Sequence, residues 1–447
     1  MCNRKLLDIA SKFRMEECML IQRDKYVQQL IKKQWNGRIK VICGLRRCGK
    51  STVLFELFKD HLIREGVPQD HIIALALDTD INSAFRDPEA LSAYVHEKAS
   101  DPDEKYYVFL DEIQYAISRE ELKNPDKPVR IYSVLNGFLQ MKNIDVYVTG
   151  SNSKLLSKDI STEFRGRGDV VNIYPLSFKE FYEASGMEKR DAYDEYMTYG
   201  GMPYLLSLES DEEKYDYLDQ LFEEIYFKDI EERYDIKLPG VLRDMTSCLC
   251  SSTGSLTNAS KLARTVNSTK NVKTDSETIS LYLSYLTDSF LFQKADRYDV
   301  KGKKYFEYPS KYYCTDVGLR NVRLQLRQQE ETHIMENIIY NELIQRGYKV
   351  DVGVVPASVS ENGKRSLQYL EIDFIARKAG RTYYIQSALR MDDAEKEEKE
   401  LRSLRKTGDS FKKIVVSDSY GKSWMDDEGI LRIGLLDFLL DENSLNR

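Results

Sequence analysis

A glycine-bounded loop within residues 42–57, ICGLRRCGKSTVLFEL, constrains the fold of this chain more than any other feature. It lies between an apolar segment typical of a buried strand, RIKVIC, and a segment with helical apolar spacing, TVLFELFKDHLI. Gly44 and Gly49 let the backbone turn tightly and aim its N–H groups inward at a bound phosphate, and the helix that begins near Lys50 adds the positive end of its dipole. The order strand, loop, helix predicts a parallel α/β sheet whose loop binds phosphate; a chance glycine turn before a helix is the alternative.

The loop's polar residues have separate expected roles. The Lys50 ammonium is expected to reach the β and γ phosphates of a nucleotide, and the Ser51 hydroxyl to bind Mg²⁺. The predicted nucleotide-binding residues are Gly44, Leu45, Arg46, Arg47, Cys48, Gly49, Lys50, Ser51 and Thr52.

A second strand signal, YYVFLDEIQ at residues 106–114, ends in Asp111 and Glu112. In a parallel sheet this end lies beside the phosphate loop. Asp111 is then expected to hold Mg²⁺, and Glu112 to orient the attacking water. An acidic pair after a strand is also common in solvated turns, but the two elements in this order predict nucleotide hydrolysis.

Two further segments carry candidate catalytic side chains. Ser151 or Asn152, at the end of a third strand in VYVTGSNSKLL, is positioned to sense the γ phosphate, although both residue types also favour helix caps. Arg165 and Arg167, between glycines in EFRGRGDVV, are candidates for an arginine finger acting across a subunit interface. A solvated surface loop is the alternative for either arginine.

Composition restricts the class of protein. With 447 residues, of which 42% are hydrophobic and 31% charged, the chain is expected to form two or three globular domains. No apolar run approaches the ~20 residues needed to cross a bilayer, and the first 20 residues lack a signal-peptide pattern, so a cytoplasmic location without membrane contact is predicted. Seven scattered cysteines do not resemble a disulfide framework. Cys48, inside the loop, is a candidate for oxidation or simply a small residue that fits.

Residues 256–330 carry thirteen Lys and Arg against eight Asp and Glu, in a chain whose net charge is −7. The pattern there predicts a winged helix: a short helix, then a helix opened by a capping box of Thr274 and Glu277, then a hairpin with Lys301, Lys303 and Lys304 at its tip. A basic tip of this kind can straddle DNA phosphates. A protein-docking module with a soluble lysine loop is the alternative.

The last portion has the layout of the restriction-endonuclease fold, with Glu336 on a helix, Asp373 after a strand and a following strand that ends near Gln386. An active version would present an acid and a lysine where this chain has Gln386 and Ala388, separated by Ser387. An amide is a poor Mg²⁺ ligand and alanine carries no ammonium, so this domain is expected to be inactive.

The predicted fold class is thus α/β, with a P-loop parallel-sheet core at residues 1–182, a helical lid at 183–238, a winged helix at 239–328 and an endonuclease-like domain at 329–447. Together ICGLRRCGKST, YVFLDEIQ, VTGSNSKLL, RGRGDVVNIYPLSFKEF, YGGMP and KYYCTDVGLRN resemble prokaryotic AAA-type ATPases with a C-terminal domain of unknown function.

The resemblance implies ATP rather than GTP as the nucleotide and places the family's arginine at Arg167. Mg²⁺ is the cofactor expected from Ser51 and Asp111, and an arginine finger that acts across a subunit interface would require a homo-oligomer. The function expected from the sequence is Mg²⁺-dependent ATP hydrolysis that changes the conformation of a C-terminal DNA- or protein-binding region. An ATP-responsive DNA-binding regulator with slow hydrolysis is the first alternative, and an ATP-dependent nuclease is the second.

Overall fold

The computed structural model describes residues 20–118, 120–121, 129–151, 166–270, 273–328, 330–361, 364–391, 394–419 and 421–447. The chain divides into two compact units. Unit 1 contains residues 1–173, 183–186 and 203–214, and unit 2 contains residues 174–182, 187–202 and 215–447. Asn152 and Arg165 lie outside the described residues.

Unit 1 is built on a five-stranded parallel sheet. Its strands are β1 (Ile39–Gly44), β2 (Ile72–Ala76), β3 (Tyr106–Asp111), β4 (Ile144–Gly150) and β5 (Gly168–Ile173). They lie in the order β2-β3-β4-β1-β5, so β4 separates the strand that precedes the loop from the strand that ends in Asp111. All residues of β1, β3 and β4 are buried, as expected for strands covered on both faces.

Helices flank this sheet. They are α1 (Asp24–Ile31), a π-helical segment (Thr52–Phe58) that continues into α2 (Lys59–Arg64), α3 (Pro88–Lys98) and α4 (Arg130–Phe138), with short 3₁₀ turns at Gln69–His71, Asp80–Arg86, Ile113–Ala116 and Pro203–Ser207. The helix after the loop packs on the sheet through Phe58, whose ring centroid lies 5.8 Å from that of Phe109 on β3 and 5.1 Å from that of Tyr147 on β4. This packing holds the helix that follows the loop against β3 and β4.

Unit 2 contains an eight-stranded mixed sheet. Its strands are β6 (Phe292–Asp299), β7 (Lys304–Cys314), β8 (Lys349–Glu361), β9 (Lys364–Lys378), β10 (Arg381–Ala388), β11 (Lys412–Ser417), β12 (Trp424–Met425) and β13 (Ile430–Gly434). The order is β12-β13-β11-β10-β9-β8-β6-β7, which leaves β12 and β7 at opposite edges. Since β6 pairs with β8, the predicted winged-helix hairpin and the predicted endonuclease-like strands share one sheet.

The helices numbered after α4 complete the fold, and two of them run across a unit boundary along the chain. They are α5 (Phe178–Ser185), α6 (Lys189–Tyr199), α7 (Asp211–Gln220) with a π-helical continuation (Leu221–Phe227), α8 (Lys228–Tyr234), α9 (Pro239–Ser251), α10 (Ala259–Lys270), α11 (Ser276–Asp288), α12 (Val317–Arg323), α13 (Glu331–Gln345), α14 (Ala394–Arg405) and α15 (Leu435–Leu440), with a final 3₁₀ turn at Ser444–Asn446. The predicted capping box of α11 is wrong: its cap is Asp275, whose carboxylate accepts the Thr278 N–H at 2.7 Å.

Within unit 2, the Gly-Gly-Met segment is hydrogen-bonded to Asp316, the residue that caps the N-terminus of α12. The carboxylate of Asp316 accepts hydrogen bonds from the N–H of Gly201 at 2.7 Å and of Leu319 at 3.1 Å. Burial raises the pKa of Asp316 to about 6. A Cβ atom at Gly318 would lie 1.7 Å from the carbonyl oxygen of Tyr199, so only glycine permits this approach. Tyr199 and Gly201 of the YGGMP motif therefore pack directly against Asp316 and Gly318 of the CTDVGLRN motif.

Candidate nucleotide-hydrolysis site

The loop after β1 requires glycine at two positions, Gly44 and Gly49, for different physical reasons. A Cβ at Gly44 would lie 2.0 Å from the carbonyl oxygen of Ile173 on β5, so this position needs the smallest residue. Gly49 has φ +95°, a conformation that side chains rarely adopt. Cys48 is fully buried, and its Sγ lies 3.3 Å from the same Ile173 carbonyl. The loop thus curls against β5 immediately before its helix begins.

Lys50 lies inside this curl. Its Nζ is 3.3 Å from the carbonyl oxygen of Gly44 and 3.2 Å from that of Leu45, and the residue is only 4% exposed. The same ammonium lies 3.8 Å from the carboxylate of Glu112. A buried cation held mainly by neutral carbonyls has unused capacity for a stronger anion such as phosphate.

Asp111 joins the loop to two strands. The Ser51 hydroxyl donates to one carboxylate oxygen of Asp111 at 2.7 Å, and the Thr149 hydroxyl on β4 donates to the other. Burial raises the pKa of Asp111 above its ordinary value, although these two hydrogen bonds oppose the shift. A desolvated carboxylate with only neutral donors is stabilised by a nearby cation.

Glu112 follows Asp111 in a left-handed backbone conformation with φ +51°. This turn is held by Thr149, whose hydroxyl accepts the Glu112 N–H at 2.9 Å. The Glu112 carboxylate accepts a hydrogen bond from the side-chain amide of Gln114. A bulky residue with positive φ is strained, and such strain concentrates at functional sites.

These residues fit a magnesium nucleotide. Adjacent ligands of an octahedral Mg²⁺ with bonds of 2.0–2.1 Å are about 2.9 Å apart. The Ser51 and Asp111 oxygens are 2.7 Å apart, close to that spacing. Among the residues present, Ser51 and Asp111 would hold the metal, and the loop amides with Lys50 would hold the phosphates.

The other predicted site residues differ in their placement. Leu45 and Ser151 are buried, Arg46 and Thr52 are half-buried, and Arg47 is exposed with φ +66°. Ser151 Oγ is 3.5 Å from the amide nitrogen of Gln114, while Asn152 and Arg165 fall outside the described residues. Arg167 is exposed, and its carbonyl oxygen accepts a hydrogen bond from the Ile39 N–H of β1 at 3.0 Å.

Sequence reasoning missed Thr149 and Gln114, and it left open whether Cys48 is oxidisable. Thr149 belongs to the strand segment VYVTG, but its role depends on β4 being the neighbour of β3. Burial raises the pKa of the Cys48 thiol, so the reactive thiolate is disfavoured and the residue acts as a small packing group.

A second polar cluster lies in unit 2, where the endonuclease-like site was predicted. Glu336 on α13 and Asp373 on β9 do approach each other, but the Nζ of Lys311 on β7 lies between them, 2.9 Å from Glu336 and 3.9 Å from Asp373. Lys311 also contacts Glu371 at 2.8 Å. Gln386 instead donates to Glu400 at 2.9 Å. Within the described ranges, no trio of His, Cys, Asp or Glu side chains is arranged to hold a metal ion.

One prediction tests the cost of burying Asp111. Because its pKa is raised in the folded chain, stability is lost as the pH rises through the folded value. Asp111→Asn is therefore expected to raise the melting temperature of the nucleotide-free protein by about 2–4 °C at pH 8, which corresponds to about 1 kcal/mol, with less gain at pH 4. Differential scanning fluorimetry at both pH values measures this, and a lower melting temperature at pH 8 contradicts it. Hydrolysis is expected to be lost in the same variant.

No helix among the described residues is both long enough and apolar enough to cross a membrane.

Comparison with known proteins identifies two matching family models. Residues 36–182 match a model described as an AAA domain, and residues 190–330 match a domain of unknown function.

An uncharacterized protein of Haemophilus influenzae is 33% identical over 426 residues, covering 94% of this chain and 99% of the relative. An uncharacterized protein of Methanocaldococcus jannaschii is 30% identical, covering 70% of this chain and 68% of the relative. A solved Walker-type ATPase of Pyrococcus abyssi is 14% identical with a TM-score of 0.47, covering 68% of this chain and 96% of that one. The chain belongs to the same family as the H. influenzae protein and carries an AAA-type P-loop ATPase domain.

Proposed function

We propose that this protein binds and hydrolyses ATP with Mg²⁺, and that hydrolysis changes the conformation of a C-terminal region that binds DNA or protein. The observation that supports it most is the convergence of Lys50, Ser51, Asp111 and Glu112 at one end of the unit 1 sheet. The Lys50 ammonium lies 3.8 Å from the Glu112 carboxylate, and the Ser51 hydroxyl donates to Asp111. Lys50 and Ser51 follow β1, whereas Asp111 ends β3 and Glu112 follows it.

Each residue then has one task. The loop amides and Lys50 would bind the phosphates, and Ser51 and Asp111 would hold the metal ion, which would supply positive charge to neutralise the phosphate oxygens. Glu112 accepts a proton from the attacking water. Thr149 positions both acids, because its hydroxyl contacts the carboxylate of Asp111 and the backbone of Glu112.

The chain path supports coupling of this site to unit 2. Met202 is the last residue of a unit 2 segment, and Pro203 is the first of the next unit 1 segment. Within unit 1, Pro203 Cγ would be 3.9 Å from a Cβ at Gly49 of the phosphate loop. Within unit 2, Gly201 is bound to Asp316. Only Met202 separates Gly201, which is bound to Asp316, from Pro203, which lies near Gly49. A movement of the phosphate loop at Gly49 could therefore be transmitted through this short stretch of backbone to Asp316.

A regulator with slow hydrolysis is favoured by two contacts of the Glu112 carboxylate. Gln114 donates to Glu112, and Lys50 faces the same carboxylate, so the catalytic acid is engaged before any water reaches it. In this alternative, nucleotide state tunes affinity for the partner and hydrolysis only resets it.

Steady-state ATPase measurements with and without single-stranded DNA, duplex DNA and RNA test the proposal and separate the two versions. Stimulation by one of these nucleic acids supports coupled hydrolysis. Slow turnover that none of them changes, together with a nucleic-acid affinity that depends on the bound nucleotide, supports the regulator. Absence of nucleotide binding in calorimetry rejects both.

Arg167 provides a test of shared sites between subunits. An arginine finger contributes about 10³–10⁵-fold to turnover in related chemistry. We expect Arg167→Ala alone and Lys50→Ala alone to be inactive, and their mixture to regain activity, because each subunit would supply the part that the other lacks. Arg38→Ala is the matched control, since Arg38 is also exposed but pairs with Asp169 at 3.2 Å. Failure of the mixture to recover, in oligomers verified by mass measurement, counts against the finger.

A further inference from the structure

Unit 2 contains a cavity of about 870 Å³ between α11, α13 and strands β6 to β9. Three cations, Lys294, Lys349 and Arg377, line it against one acid, Asp351. Asp351 pairs with Arg377, and Lys294 pairs with Asp296 at 2.7 Å. Lys349 lies outside these two pairs, so the cavity retains an excess of positive charge. Cavities of 300–1,000 Å³ hold ligands of about nucleotide size, and a positive lining favours an anionic one.

The cavity also has an unused hydrogen-bond donor. Gln293 lines it, and the buried Nε2 of this residue has no hydrogen-bond partner in the part of the chain that the structure describes. A buried donor without a partner costs about 1–3 kcal/mol, and a ligand that presents an acceptor removes this cost. The carbonyl and ring-nitrogen acceptors of a nucleobase meet that requirement.

An aromatic side chain stands at the rim. Tyr305 on the edge strand β7 is 56% exposed. It is held in place nonetheless: its hydroxyl donates to Asp351 at 3.2 Å and accepts from Arg377 at 2.6 Å, and its ring lies 5.1 Å from that of Tyr298. A fixed, solvent-facing ring offers a stacking surface with little loss of side-chain entropy.

The lysines of the hairpin tip are adjacent in sequence to this ring. Lys303 and Lys304 directly precede Tyr305, and both are exposed. Lys301, across the turn, reaches the carbonyl of Pro356 at 3.0 Å. The tip thus places positive charge one residue from the Tyr305 ring. Proteins that bind single strands combine such groups, with basic residues contacting the phosphates and aromatic rings stacking on the bases.

A duplex fits this surface poorly. Helix α11, the predicted recognition helix, contains no Lys or Arg, and it contains Glu277 and Asp288. Three of its hydroxyl residues, Ser280, Ser284 and Thr287, face the cavity instead of standing clear of the unit. A helix that enters a DNA groove normally carries basic or amide side chains toward base edges.

We infer that unit 2 binds single-stranded nucleic acid, with one unstacked base on Tyr305 and in the cavity beneath it, and with the flanking phosphates on the hairpin lysines. This deepens the proposed function by naming the partner of the C-terminal region. It does not require hydrolysis, so the two can fail separately.

Fluorescence anisotropy of the full chain without nucleotide, using a labelled oligothymidylate of about 20 nucleotides, tests it. We expect Kd values on the order of 1–100 µM at moderate salt. Tyr305→Ala is expected to weaken binding about 5- to 100-fold, because base stacking on an aromatic residue contributes about 1–3 kcal/mol. Tyr305→Phe, which keeps the ring, is expected to retain most of the affinity.

Trp424→Ala is the matched control, because Trp424 is also an exposed aromatic residue (46%) on an edge strand but lies on β12, at the opposite edge of the sheet. A Lys303→Ala/Lys304→Ala variant is expected to reduce the slope of log Kd against log salt by about 0.7 for each phosphate that no longer has a lysine partner. This readout holds even if Tyr305→Ala folds poorly.

Three outcomes overturn the inference: no binding up to about 100 µM protein, equal or tighter binding of a matched duplex, or a Trp424→Ala effect as large as that of Tyr305→Ala. ATPase activity measured on the same preparations separates this result from failure of the nucleotide site. Lost DNA binding with intact hydrolysis rejects the inference alone, and intact DNA binding without hydrolysis rejects the proposed function alone.

Discussion

Glu112→Gln is expected to bind ATP with nearly unchanged affinity and to lose about 10²–10⁴-fold in kcat, the usual contribution of a general base. Binding survives because the loop and Lys50 contact the phosphates without Glu112. Turnover falls because a carboxamide cannot accept a proton from water. Single-turnover hydrolysis, with Kd from isothermal titration, measures the two quantities separately.

Gln114→Ala is the control for this result. Gln114 contacts the same carboxylate but supplies no proton acceptor to water, so its loss is expected to change kcat by far less than loss of the acid. An increase in basal turnover would indicate that the amide restrains Glu112, which favours the slow-hydrolysis version. An unchanged kcat in Glu112→Gln would remove Glu112 from the catalytic role altogether.

Local pattern is enough to select the candidate site residues that a single segment supplies. The loop residues, Asp111 and Glu112 are each defined by a short apolar strand and the polar or glycine residues directly after it. That signal needs no knowledge of which strands are neighbours. The same reasoning predicts a parallel-sheet core and identifies three of its five strands, β1, β3 and β4.

The parts that escaped prediction depend on pairing between distant segments. Thr149 reaches Asp111 only because β4 lies between β1 and β3. Lys311 reaches Glu336 and Asp373 only because the hairpin β6-β7 joins the C-terminal sheet. This chain has Ala388 where an active endonuclease would have a lysine, and the ammonium of Lys311 from another strand lies beside the two carboxylates instead. Periodicity in a single sequence carries no information on either pairing.

This ammonium also bears on the nuclease alternative. A buried lysine between three carboxylates neutralises charge that a metal ion would otherwise neutralise. The pKa of Lys311 is raised: burial opposes its charge, but Glu336 and Asp373 outweigh that effect. The charged Lys311 therefore leaves less negative charge in the cluster to attract a metal ion, which counts against the nuclease alternative.

The phosphate loop's dependence on Gly44 gives the second large expected effect. In Gly44→Ala, the new methyl group would lie 2.0 Å from the Ile173 carbonyl oxygen and 3.2 Å from Cys48 Sγ. Backbone oxygen at that distance cannot be avoided by a rotamer change, so β1 and β5 must separate where Gly44 pairs with Ile173. We expect a loss of about 1–3 kcal/mol in the free energy of unfolding, as for other overpacked cores, together with loss of nucleotide binding because the loop starts at this residue.

Gly137→Ala is the matched control in the same unit. Gly137 lies in α4, is exposed, and a Cβ there would meet no atom within 4 Å. Alanine is therefore expected to stabilise the helix by about 0.5–1 kcal/mol and to leave nucleotide affinity unchanged. Urea unfolding of the three proteins, with nucleotide titration of each, measures both effects. The same Gly→Ala change is then expected to lower the free energy of unfolding at position 44 and to raise it at position 137, because one methyl group meets a strand carbonyl and the other meets solvent. Equal changes in the two variants would mean that the close approach of β1 and β5 at Gly44 does not hold the loop.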